Sequence, residues 1–118
     1  MWTVRDVIAH LLSAEDGLTQ VAKDIAAGGR GAPEGFDHNA YNAEEQARPA
    51  GRSRESLLAE LDAARQATVA WVTELEDATL DLMGYHPALG KITLEQMITA
   101  IHGHQVMHIR ELQAGIRS

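Results

Sequence analysis

The stretch His102-Gly103-His104-Gln105-Val106-Met107-His108 places three of the chain's six histidines within seven positions. The sequence contains no cysteine, so thiolate ligands, a thiolate nucleophile and disulfides are excluded, and any metal must be held by imidazole, carboxylate or water. Spacing decides which imidazoles can cooperate. His104 and His108 stand at i and i+4 on a helical pattern, on adjacent turns about 6 Å apart along the axis. The apolar centre of that helix is shared by Leu94, Ile101 and Leu112; His108 falls about 40° from it and His104 about 80° on the same side, while His102 lies about 80° away on the other flank. His104 and His108 therefore project inward as a chelating pair, and His102 does not.

An isolated pair of this kind also fits two partly buried histidines bonded to backbone or water. A third ligand sharpens the reading. His10 is the only other histidine on a long helical pattern, roughly a quarter turn from the middle of its apolar stripe, with the small residues Ala14 and Gly17 leaving room beside it. Three imidazoles from two facing helices make an open site with positions left for water or substrate, as a catalytic zinc or nickel site requires. Glu111, three residues after His108 and about 60° from it, adds a carboxylate. It can be a fourth ligand, orient a ligand imidazole or take a proton from bound water; it can equally be an exposed helix glutamate beside Arg110.

The elements that must position these residues are helical. Thr3 with Asp6 forms a capping-box pattern ahead of Val4, Val7, Ile8, Leu11, Leu12, Leu18, Val21 and Ile25, and the run stops at Gly28-Gly29. Residues 28–36 are Gly/Pro-rich loop, and the polar segment 37–47 fits one short helix in which His38, Asn39, Tyr41 and Asn42 cap turns or line a pocket mouth. Ser53 caps a second long helix, expected to end near Thr79, whose stripe is Leu57, Leu58, Leu61, Ala64, Thr68, Val72 and Leu75. A Gly/Pro break over 84–92 makes His86 a loop residue. Thr93 with Gln96 then opens the last helix, with Leu94, Met97, Ile98, Ile101, Ile109, Leu112 and Ile116 facing inward. Trp2 and Trp71 read as core or interface anchors.

With 118 residues, 45% hydrophobic and 4% aromatic, and no run of alternating β-formers, the sequence predicts a single all-α domain over 1–118 with no strand. The formal charge is −7, from 17 acidic and 10 basic residues, with the basic ones scattered, which argues against a nucleic-acid partner. No apolar run reaches the length of a membrane span and no leader pattern precedes the first helix, so a soluble, cytoplasmic protein is expected. P-loop, dinucleotide-binding, H-E-x-x-H and serine-elbow motifs are missing.

Three stretches, WTVRDVIAHL at 2–11, HPALGKITLEQ at 86–96 and HGHQVMHIREL at 102–112, together resemble the DinB/YfiT-like superfamily, which includes the mycothiol-dependent maleylpyruvate isomerase N-terminal domains. The resemblance spans nearly the whole chain. It implies a four-helix bundle holding a divalent metal, commonly zinc or nickel, on His10, His104 and His108, and a metal that activates a low-molecular-weight thiol or a water. It further implies a thiol S-transferase or hydrolase acting on a small molecule; the alternative is a non-catalytic helical dimer with a structural or vestigial metal site. Two departures stand out. The superfamily carries a helix ahead of the W-T-V-R-D motif, so a bundle apparently short of its first helix and completed by homodimerisation is expected. Glu111 stands where relatives often carry glutamine, and a carboxylate there lowers the activity of a bound water.

Overall fold

The computed structural model describes residues 3–37, 41 and 52–117, and within the last helix the side chains of all but 111, 112 and 115–117. Three long helices dominate: α1 (Val4–Ala26), α2 (Arg54–Thr73) and α3 (Leu94–Arg117), with a 3₁₀ turn at Asp77–Asp81 and two short strands, β1 (Met83–His86) and β2 (Gly90–Thr93). The architecture is a mostly helical bundle, as expected. The expected short helix over 37–47 and the reading of Trp2 lie outside the described residues, apart from Asp37 and Tyr41.

α1 begins where the capping box places it. Thr3 Oγ1 accepts from the Asp6 amide at 3.1 Å, and the Asp6 carboxylate accepts from the Thr3 amide at 2.9 Å. The helix ends one residue before Ala27, and Gly28 takes the positive φ of 94° that turns the chain away. Ser53 caps α2 through the Ser56 amide. α2 stops at Thr73, six residues short of the expected end; the acidic run Glu74, Glu76 and Asp77 would sit at the negative end of the helix dipole, and the chain tightens into the 3₁₀ turn instead.

The expectation of no strand is corrected by the hairpin that replaces the predicted break. β1 and β2 pair antiparallel with Tyr85 opposite Lys91 and His86 opposite Gly90. The connection Pro87-Ala88-Leu89 is held by His86, whose Nδ1 accepts from the amides of Ala88 at 2.9 Å and Leu89 at 3.0 Å, and Gly90 follows with φ 81°. The hairpin is anchored from outside. Tyr85 donates its amide to the Arg30 carbonyl and accepts from the Ala32 amide, both at 2.8 Å, and the Arg30 guanidinium covers the Tyr85 ring at 3.9 Å. Gly84 lies against Ile25 of α1 so closely that a Cβ would collide with that side chain.

The core falls into two clusters. In the first, Val7, Ile8, Ala9 and Leu11 of α1 pack on Leu57 and Leu61 of α2; in the second, Ala22 and Ile25 of α1 pack on Leu94, Met97 and Ile101 of α3. The pairing order fixes the directions. α2 runs parallel to α1, because 7–11 meets 57–61 and Thr19 meets Thr68, whereas α3 runs antiparallel, because Ile25 meets Leu94 and His10 meets His104. The parallel α1–α2 arrangement explains the long connection 27–53, which must return the chain along a 23-residue helix, about 34 Å. Fully buried Ile25, Leu57, Leu94 and Met97 each contribute about 1.5–3 kcal/mol of transfer free energy. Trp71 packs on the second cluster, as an anchor of the core.

Not every expected inward residue is inside. Val4, Leu58 and Ile109 were placed on apolar stripes, yet Leu58 is 47% and Ile109 43% exposed, and Val4 is also largely solvent-facing. Each lies on the edge of its helix left uncovered by the other two. Among the described residues no helix is long and apolar enough to cross a membrane.

Candidate metal centre and adjoining cavity

The antiparallel docking of α3 on α1 brings together three imidazoles that are far apart in sequence. His10 sits in the second turn of α1; His104 and His108 sit one turn apart on the distal half of α3. Their ring centroids are 4.9 Å (His10–His104), 4.8 Å (His10–His108) and 4.6 Å (His104–His108) apart, with the planes steeply inclined to one another. One ring nitrogen from each lies within 4.8 Å of the other two, and His10 Nε2 is 3.1 Å from His104 Nε2. The structure thus brings the three sequence-predicted residues to one point. It corrects the placement of His10, which is buried at 6% exposure and not on the border of its stripe: α1 is contacted by α2 on one side and α3 on another, so its inward arc is wider than one stripe.

The donor set fits a divalent ion. Zinc–imidazole bonds of about 2.0–2.1 Å in a tetrahedral arrangement place ligand nitrogens about 3.3 Å apart, close to the His10–His104 separation of 3.1 Å. The three imidazoles bring no negative charge of their own to such an ion, which preserves its Lewis acidity. His102, which helical spacing puts on the other flank of α3, is exposed and is not one of the grouped imidazoles. Glu111 belongs to α3, but its side chain lies outside the described residues, as do His38, Asn39 and Asn42.

A cavity of about 710 Å³ opens beside the triad and is lined by both His10 and His104. Ala14, Gly17 and Val21 continue its wall along α1, Ala64, Ala67 and Thr68 of α2 form another side, and Phe36, Tyr41 and the hairpin residues His86 to Ala88 border it. Of the two readings of Tyr41, turn cap or pocket mouth, the structure shows the second, with Tyr41 in the cavity lining. Its hydroxyl lies against Gly17, where a Cβ would stand 2.8 Å from it, and its ring faces Phe36 at 5.5 Å. His86, expected in a loop, ends β1 and faces the cavity, with its Nδ1 committed to the turn amides.

A buried polar cluster beneath this wall was not anticipated. Glu15, only 3% exposed, accepts from Thr68 Oγ1 at 2.7 Å and lies 2.9 Å from Arg65 Nη2, while Thr19 and Thr68 share a hydroxyl contact of 3.2 Å. The Arg65 contact is close in distance but lacks hydrogen-bond alignment, so it is charge attraction across the α1–α2 seam. The available signal was Glu15 and Thr19 at i and i+4 on the same side of α1 as Ile8, a carboxylate where the stripe calls for an apolar side chain.

A helical bundle whose antiparallel helices carry a convergent three-histidine group next to a cavity defines a class of candidate metal proteins. The profile of the DinB superfamily matches residues 1–112, and the chain belongs to that superfamily. No curated protein matches the chain.

Proposed function

We propose that the protein is a metal-dependent enzyme of the thiol S-transferase or hydrolase kind, acting on a small molecule, with His10, His104 and His108 holding a zinc or nickel ion. The observation that carries this reading is the opening of the three-imidazole group onto a cavity of about 710 Å³, large enough for a small organic substrate. A divalent ion held there supplies Lewis acidity to a low-molecular-weight thiol or a water. The chain's own contribution is placement. With α3 docked on α1, one ring nitrogen from each imidazole lies within 4.8 Å of the other two. Ala14, Gly17, Ala64 and Ala67 are small and apolar, which leaves room for a small substrate along the adjoining wall. Glu111, three residues beyond His108, is assigned to the same centre as a fourth ligand or as the acceptor that orients a ligand imidazole.

A homodimer in a cytoplasmic setting belongs to the same reading, supported by the uncovered apolar side chains Leu58, Val69, Met107 and Ile109 on α2 and α3. Those side chains also favour the second reading, a non-catalytic helical dimer in which the metal only fastens α1 to α3. Cobalt-substituted protein separates the two. An open centre changes its visible spectrum when 2-mercaptoethanol is added in excess; a spectrum indifferent to thiol and to pressure from added inhibitors such as azide supports the structural site and overturns the enzymatic one. Sedimentation equilibrium tests the dimer, which a mass of 12.8 kDa in solution would contradict.

A further inference from the structure

The two core clusters divide the helices unequally. Among the described residues, α3 contributes Leu94, Met97 and Ile101 to the second cluster, with Ile98 alongside, and none to the first. Beyond Ile101 no described residue of α3 is buried, and Met107 and Ile109 are close to half exposed. In this stretch His104 and His108, both half-buried, meet the buried His10 of α1. The local sequence does little to hold the helix on its own: Gly103 and Gly115 interrupt it, and Val106, Ile109 and Ile116 are β-branched. A stretch this short, in which the described apolar side chains Met107 and Ile109 are exposed, is marginal as a helix in water.

We infer that divalent-metal binding docks the distal half of α3 onto α1, so that the metal controls whether this half of the helix is closed down or open. The inference rests on the reading of His10, His104 and His108 as ligands. It carries a functional consequence, because His104 is the one residue of α3, among the described residues, that lines the cavity. Docking the distal half and completing the cavity wall are then a single event, and a small molecule meets a finished site only in the loaded protein. The proximal half of α3, clamped by Leu94, Met97 and Ile101, stays in place in both states. An ion that binds only the docked form stabilises it by a factor of one plus its concentration over Kd.

Hydrogen exchange on the full chain, read by mass spectrometry with and without Zn²⁺, tests this. With free Zn²⁺ at about a hundred times its Kd, amides over 104–110 are expected to gain protection approaching 100-fold. Amides over 57–68 of α2, in the metal-independent cluster, are expected to stay within about twofold. His104→Ala and His108→Ala should each abolish the zinc-dependent gain, with the α2 amides reporting that the variants remain folded. Calorimetry on the same samples separates the possible failures. Zinc bound at one ion per chain with no change over 104–110 overturns the docking inference and leaves the metal reading intact; no zinc binding overturns both.

Discussion

His10 of α1 and His104 of α3 meet Nε2 to Nε2 at 3.1 Å, although 94 positions separate them in the chain. Both nitrogens therefore look at one point, which His108 approaches from the next turn of α3. Nothing local to α1 would place a histidine there; the antiparallel docking of α3 does.

The second capping box is the local device that starts α3. Gln96 donates its amide to Thr93 Oγ1 at 3.1 Å, and Thr93 donates its amide to Gln96 Oε1 at 2.9 Å. Thr93→Ala should cost about 1 kcal/mol in denaturant unfolding, and Thr93→Ser should recover most of it.

Breaking the buried carboxylate at the α1–α2 seam should cost more. Glu15→Ala takes from the Thr68 hydroxyl its shortest hydrogen-bond partner, leaving it the Ala64 carbonyl at 3.0 Å and the Thr19 hydroxyl at 3.2 Å, and removes the carboxylate facing Arg65, whose side chain is 24% exposed. The expected loss is about 2–3 kcal/mol. The double variant Glu15→Met with Arg65→Leu should recover stability toward the native value, as measured by chemical denaturation in a double-mutant cycle.

Two glycines should respond in opposite senses. Gly84→Ala drives a methyl group into Ile25 and the Arg30 carbonyl, and a loss of about 1–3 kcal/mol is expected. Gly17→Ala meets the far end of the Tyr41 side chain, hydroxyl first at 2.8 Å, and no backbone, while the helix gains about 0.5–1 kcal/mol of propensity. The melting temperature of Gly17→Ala should therefore hold or rise; a drop of several degrees would show that the Tyr41 hydroxyl is fixed at the cavity wall.

What could be read from the chain depended on how local its cause was. His104 and His108 share one helix, and helical periodicity alone placed both inward and His102 outward. Both capping boxes were legible for the same reason. His10 was legible as a ligand candidate, but its depth was not, because its burial comes from two helices packing on α1 at once. The hairpin was hidden because its strands are four residues each and are held by Arg30, Ala32 and Ile25, all distant in sequence. Glu15 and Arg65 became partners only through the parallel register of α1 and α2, which nothing in their spacing announces. Ile109 and Leu58 followed the apolar period faithfully and are still exposed, since three helices cover fewer stripes than the pattern offers.

The central claim is that His10, His104 and His108 share one ion. Metal-free protein titrated with Zn²⁺ by isothermal calorimetry, alongside His10→Ala, His104→Ala and His108→Ala, tests it most directly. One Zn²⁺ per chain is expected for the native protein, with a loss of affinity of at least about 100-fold in each variant, since every one removes a coordinate bond. Native protein that takes up no stoichiometric zinc or nickel, or variants that bind as tightly as the native chain, would contradict it.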